Sequence, residues 1–184
     1  NNPYLWLMIY GAIEIGTNAA RLLIGEVVKE NGHSFVRKIS YNRVPLRLGL
    51  EVFEDGYISP GKLDDFTKSI QAFKLISEVF KVKELRACAT SAMRDASNSA
   101  DIIRKVKLET GLGIEIISGD LEASIIYENH IAENMDVANS YMYIDVGGGS
   151  TELTFFTDGK LTFKHSFNIG TIRLLKDMVS DYKW

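Results

Sequence analysis

The sequence predicts an α/β protein, a mixed β-sheet flanked by helices and followed by the start of a second, similar unit. Three observations carry this. A short glycine- and hydroxyl-rich pattern occurs twice, as Ala12-Ile13-Glu14-Ile15-Gly16-Thr17-Asn18 and as Tyr143-Ile144-Asp145-Val146-Gly147-Gly148-Gly149-Ser150-Thr151. Each copy is an apolar strand that delivers a carboxylate into a loop, and each loop feeds a second strand, a turn dipeptide and a third strand. Between the copies, strand-like and helix-like segments alternate, as they do where helices cover a sheet. A repeated strand-loop-strand-turn-strand unit implies two related half-sites facing one ligand.

Taken in order, residues 4–15 form an apolar strand entering the first loop, and residues 5–41 as a whole read as three strands rich in Ile, Val and Leu, with the Asn31-Gly32 turn between the second and third. Residues 43–56 read as irregular. Ser59-Pro60 starts a helix with an N-cap and a proline in its first turn, and Leu63, Phe66, Ile70, Phe73, Ile76 and Phe80 make its apolar face. Residues 85–90 are a buried-strand candidate, with Ser91-Ala92-Met93-Arg94 as the loop at its carboxyl end. Asn98 or Ser97 caps a second helix bearing Ile102, Ile103 and Val106, which stops at Gly111. Residues 114–117 form a short strand, and Asp120 caps a helix running to about residue 134.

The order βββ-α-β-α-β-α is that of ribonuclease-H-like folds. After Asn134-Met135-Asp136 the strand pattern restarts, and residues 172–182 begin a further helix. The expected division is a first domain over residues 1–134 and an incomplete start of a second over residues 135–184. A unit of about 50 residues is marginal alone, so residues 141–184 are expected to dock on the first domain, to pair with a second copy as a homodimer, or to be partly mobile.

Composition narrows the function. With 184 residues and 46% hydrophobic content the chain can bury a core, and a net charge of −3 supplies no general attraction to nucleic acid or to acidic membranes. Anion binding therefore falls to local basic positions. The apolar opening is too short to span a bilayer, contains Glu14 and lacks a basic leader, so no membrane partner is expected. The one cysteine, Cys88, allows no intramolecular disulfide and reads as a buried small hydrophobe in a reduced, cytoplasmic protein. His33, His130 and His165 share no metal-ligand spacing and read as structural or surface residues, and the helix aromatics read as core.

The repeated loop is the chemical signal. Glycines let successive N–H groups approach phosphate oxygens, and the hydroxyls of Thr17, Ser150 and Thr151 add donors, as does Asn18. A lone carboxylate there would repel phosphate. It makes sense as a ligand of Mg²⁺ or another hard divalent cation, which joins carboxylate and phosphate in one site, and Glu14 and Asp145 stand at that point.

Five ordered blocks resemble the exopolyphosphatase and guanosine-pentaphosphate phosphohydrolase family of the actin-like, sugar-kinase superfamily. They are the first loop with Arg21-Leu22-Leu23-Ile24, Arg47-Leu48-Gly49, Ala89-Thr90-Ser91-Ala92-Met93-Arg94, Ile116-Ile117-Ser118-Gly119 with Glu122-Ala123, and the second loop with Glu152; Gly170 and Arg173-Leu174 extend the match. The resemblance implies that Glu122 is the water-activating base and that Asp145 and Glu152 are metal-associated acids. It also implies that Gly147, Gly148, Gly149 and Ser150 form the phosphate loop, with Arg94 facing phosphate and Arg21 and Arg47 in matching basic positions. Placed in a first turn, Glu122 is expected to be favoured in its ionised form by the positive end of the helix dipole. One departure is Glu14, since family members carry aspartate there and the longer side chain reaches further into the cleft. Thr17 replaces the more usual serine.

The function implied is hydrolysis of a terminal phosphoanhydride in inorganic polyphosphate or guanosine pentaphosphate. Two alternatives stand beside it. One is a catalytically weak module that binds polyphosphate or a guanosine alarmone, which would not need Glu122 as a base. The other is an ATP-dependent kinase of the same superfamily, which would need an adenosine-binding segment that these residues do not display.

Overall fold

The computed structural model describes residues 8–30, 33–130, 136 and 138–176. The start of the first strand at residues 4–7, the Asn31-Gly32 turn, the expected helix end and domain boundary near residue 134, the side chains of His33 and His130, and the helix beyond residue 176 lie outside the described residues.

The first unit is a five-stranded sheet. Its strands are β1 (Ile9–Ile15), β2 (Ala20–Glu30), β3 (His33–Val44), β4 (Glu84–Ala89) and β5 (Ile114–Ile116), in spatial order β3-β2-β1-β4-β5. β1, β2 and β3 pair antiparallel, whereas β1 pairs parallel with β4 and β4 with β5. This is the mixed sheet the element order predicts. Because strand side chains alternate between faces, Ile13, Ile15, Leu22 and Ile24 fall on one face. They join a core with Phe66, Ile70 and Phe73 of α2 (Pro60–Val79) and Ile102 and Val106 of α4 (Ser99–Thr110). Ser59 caps α2 by accepting from the Lys62 N–H, with Pro60 at its first position, as its sequence predicts.

Several local expectations are corrected. Residues 43–56 are not irregular throughout, since α1 (Leu48–Asp55) forms there and buries Leu48, Gly49, Val52 and Phe53. Its start is fixed by the first loop, with the Arg47 N–H donating to the Asn18 carbonyl (2.9 Å) and the Gly49 N–H to the Thr17 carbonyl (3.0 Å). Tertiary contact decides this helix. Residues 91–94 lie in a short helix, α3 (Ser91–Asp95), and are not a loop. Asn98 occupies the N-cap position of α4, but its side chain bridges both backbone groups of Ile58 instead of capping. In α5 (Gly119–His130) Asp120 lies inside the first turn, and the Ser118 hydroxyl accepts from the Leu121 N–H in the capping role. β4 buries only alternate residues, so Cys88 is half-buried between Ala87 and Ala89, and burial pushes its thiol up.

The second unit repeats the first three strands as β6 (Tyr141–Val146), β7 (Thr151–Thr157) and β8 (Lys160–Phe167), an antiparallel meander. Glu14 opposes Arg21 in the first copy and Asp145 opposes Glu152 at the equivalent place in the second. Even the register irregularities correspond, at Ile24/Gly25 and Phe155/Phe156. Asp158 and Gly159 turn between β7 and β8 with positive φ at both residues (53° and 68°), the type I′ geometry that Asp-Gly favours. This unit docks on the first. α5 packs against β7 and β8, α6 (Thr171–Leu175) packs against α1, and Ile172 enters the main core. Among the described residues, no helix is long and apolar enough to cross a membrane.

Candidate active site between two glycine loops

The parallel pairing of β1 with β4 sets Ile15 beside Ala89, so whatever follows each strand emerges at one edge of the sheet. The carboxyl ends of parallel strands are where open α/β sheets bind ligands. After β1 comes the loop Gly16-Thr17-Asn18, and after β4 comes α3. The Thr17 and Ser91 hydroxyls meet at 2.7 Å, both buried. The second loop closes on this point. A Cβ on Gly148 would stand 2.8 Å from Thr17 Cγ2 and 3.0 Å from Asn18 Nδ2, so only glycine lets the loops approach this closely.

The second loop is held from behind. The Gly147 N–H donates to the Ser150 carbonyl (2.9 Å), closing a turn. The Gly147 and Gly148 carbonyls accept from the Thr171 and Ile172 N–H groups (3.0 and 2.9 Å), and the Gly149 carbonyl accepts from Arg173 Nε (2.6 Å). Ser150 is buried at the end of this turn. The Thr151 hydroxyl donates to the Ile169 carbonyl at 2.5 Å.

Arg94, on α3, and Glu122, in the first turn of α5, come together at 3.2 Å, and Arg94 also donates to the Ile117 carbonyl (2.7 Å). Both are mostly buried, with side chains 22% and 18% exposed. The Glu122 carboxyl is pushed up to about 7 from an ordinary 4.5, first by burial and then by the charge of Glu152, with Arg94 opposing and Glu14 adding to the rise. This corrects the expectation from the helix dipole. A first-turn position favours the anion, but desolvation and two neighbouring carboxylates outweigh it.

Those carboxylates are held differently. Both Glu14 oxygens accept from Arg21 Nη1, at 2.7 and 2.8 Å. Partial burial works against the Arg21 charge, but Glu14 and the more distant Asp145 hold its pKa above the ordinary value. Glu152 is buried and accepts from the Ser166 hydroxyl (2.7 Å), whereas its cross-strand partner Asp145 is exposed. Arg47 has an exposed side chain and serves the site through its backbone, at the left-handed start of α1 (φ 56°).

Among the described residues, no three His, Cys, Asp or Glu side chains stand close enough to hold a metal ion by themselves. Magnesium takes one or two protein carboxylates and completes its shell with water and phosphate oxygens. Asp145 with Glu152 fits that demand better than Glu14, which Arg21 already engages.

Sequence reasoning did not assign roles to Ser91, Ser166 or Arg173. Ser91 and Arg173 lie within blocks of the family resemblance, but spacing alone does not say that Ser91 meets Thr17, or that Arg173 stacks on Phe53 with its Cζ 4.3 Å from the ring centre.

Residues 27–183 match the model of the Ppx/GppA phosphatase family. A bifunctional 3-dehydroquinate synthase/phosphatase from Fusobacterium nucleatum is 34% identical over 167 residues, which are 89% of this chain and 25% of that protein. Among solved structures, an exopolyphosphatase from Cytophaga hutchinsonii is 27% identical with a TM-score of 0.79, over 92% of this chain and 53% of the other. The Aquifex aeolicus member of the Ppx/GppA family is 27% identical with a TM-score of 0.74, over 92% and 54%. The chain thus spans about a quarter of the curated relative and about half of each solved structure.

Proposed function

The chain belongs to the Ppx/GppA phosphatase family, and from that premise we propose that it carries the base and both phosphate loops of an enzyme that hydrolyses the terminal phosphoanhydride of inorganic polyphosphate or guanosine pentaphosphate. The observation that carries this reading is the Arg94–Glu122 pair beside two glycine loops in contact. A sensor has no need of a buried carboxyl poised near neutrality, whereas a general base works best with its pKa close to the operating pH. The similarity to the Cytophaga hutchinsonii exopolyphosphatase supports polyphosphate as the first substrate to try.

In this mechanism the terminal phosphoryl group rests on the N–H groups of residues 148–150 and on the Ser150 hydroxyl, with Arg94 presenting its guanidinium to the equatorial oxygens. Glu122 accepts a proton from water as the water oxygen bonds to phosphorus. The bridging P–O bond breaks, and its electrons leave with the shortened chain. Asp145 and Glu152 would hold Mg²⁺, which supplies charge neutralisation on the phosphates when bound. The Glu14–Arg21 pair keeps a second guanidinium at the mouth of the first loop.

The test is phosphate release by the intact protein in Mg²⁺ from long polyphosphate, guanosine pentaphosphate and ATP, with Glu122→Gln alongside. Turnover of one of the first two is expected to fall on the order of 10² to 10⁴ in the variant, with affinity for the substrate kept within a few-fold. Full activity in Glu122→Gln removes the base assignment. Phosphate release from ATP alone overturns the assignment of polyphosphate or guanosine pentaphosphate as substrate.

A further inference from the structure

We propose that Arg173 is a positioning residue that aims the N–H groups of the second glycine loop and ties that loop to the helix carrying Arg94. The inference rests on the reading of this loop as a phosphate site. The carbonyls of Gly147, Gly148 and Gly149 all accept donors from the start of α6, in the order Thr171 N–H, Ile172 N–H and Arg173 Nε. In a trans peptide the N–H points opposite to the carbonyl of the preceding residue. Fixing those three carbonyls toward α6 therefore turns the N–H groups of Gly148, Gly149 and Ser150 the other way, into the concave arrangement that binds anions.

The first two anchors are backbone groups that almost any residues would supply. The third is a side chain, so it is the one under sequence control. Arg173 is 9% exposed, lies with Cζ 4.3 Å from the centre of the Phe53 ring, and pairs with Asp95 through Nη2. Asp95 follows Arg94 in α3. The same short helix therefore offers one side chain to the loop's anchor and the next to Glu122, which fixes the loop and the Arg94–Glu122 pair in one frame. A planar guanidinium can donate to the Gly149 carbonyl and to Asp95 while lying flat on an aromatic ring. A lysine ammonium keeps the charge but not that geometry.

Arg173→Lys therefore separates positioning from folding. In the intact protein, thermal unfolding is measured with tripolyphosphate binding by calorimetry and with steady-state turnover. The variant is expected to melt within a few degrees of the parent, bind tripolyphosphate about tenfold more weakly and show KM raised more than kcat is lowered, with the pH midpoint of kcat unmoved. Phe53→Leu, which keeps the Gly149 bond and removes the ring, is expected to stay within about threefold of parental affinity. Parental affinity in Arg173→Lys overturns the proposal. So does a loss that the lowered folded fraction accounts for. Failure of the parent itself to bind tripolyphosphate overturns the phosphate-site reading beneath it, an outcome visible before any variant is made.

Discussion

Between pH 5 and 8 an ordinary glutamate stays ionised, whereas Glu122 changes charge, because its carboxyl sits near 7 instead of 4.5. The sign of the consequence follows. A raised carboxyl pKa means that the folded state binds more protons than the unfolded state between about 4.5 and 7. Stability therefore falls as pH rises through that window, and the cost is fully present above it. Glu122→Gln removes the titration while keeping an acceptor for Arg94. The variant is expected to melt higher than the parent at pH 8, by roughly 4–8 °C for a gain on the order of 2 kcal/mol, and at nearly the same temperature at pH 5. A gap of equal size at both pH values would assign the effect to packing and not to charge. If Glu122 is the proposed base, the same group predicts a rate of phosphate release that rises with pH through about 7 and then levels off, an ascending limb that Glu122→Gln should lack.

At the scale of elements, α1 is the test of how tertiary contact makes local structure. A Cβ on Gly49 would stand 2.1 Å from Thr17 Cγ2 and 3.1 Å from Phe53 Cε2, while one on Gly61, in the first turn of α2, would meet nothing within 4 Å. Gly49→Ala is therefore expected to cost about 1–3 kcal/mol and to weaken phosphate binding, because the displaced neighbour is the first loop. Gly61→Ala should be neutral or stabilise by up to about 1 kcal/mol. Equal melting temperatures for the two variants would show that α1 is not wedged against Thr17. The same contrast explains what was legible in the sequence. Strands β1, β2 and β7 carry their own β-branched and aromatic residues and end in glycine loops or turn dipeptides, and α2 carries its cap, its proline and its apolar face, so local chemistry suffices for each. α1 begins on a left-handed Arg47 and contains Gly49, features that argue against a helix until the Thr17 and Asn18 carbonyls are in place. In the site, the Ser-Gly-x-x-Glu spacing places Glu122 in a first turn, yet its proton affinity depends first on burial in the folded site and then on Glu152 and Glu14, which approach it from strands distant in sequence.

The molecule as a whole is two copies of one strand pattern with unequal support. In the first copy Ile13, Ile15, Leu22 and Ile24 are at most 2% exposed and lie beneath α2 and α4. In the second, β6 and β8 bury none of their residues, Met142, Ile144 and Val146 are each more than half exposed, and burial within the sheet is concentrated on β7 at Glu152, Thr154 and Phe156. Attachment comes through α5, through Ile172, and through the pairings of Arg173 with Asp95 and of Lys176 with Glu54. Local opening free energies follow buried apolar contact, so amide hydrogen exchange is expected to grade across the molecule. The β1 and β2 amides should exchange only on global unfolding, while β6 and β8 amides exchange through a smaller opening. Because the second glycine loop lies in the less protected unit and touches the first at Thr17, a phosphate ligand binding across both loops gains affinity for the docked state alone, and by mass action stabilises it. Saturating tripolyphosphate should therefore slow exchange in β6–β8 more than in β1 and β2, provided the ligand-free opening is local. Equally slow exchange in both sheets without ligand would mean that the second unit is as firmly held as the first, and would overturn this account of its docking.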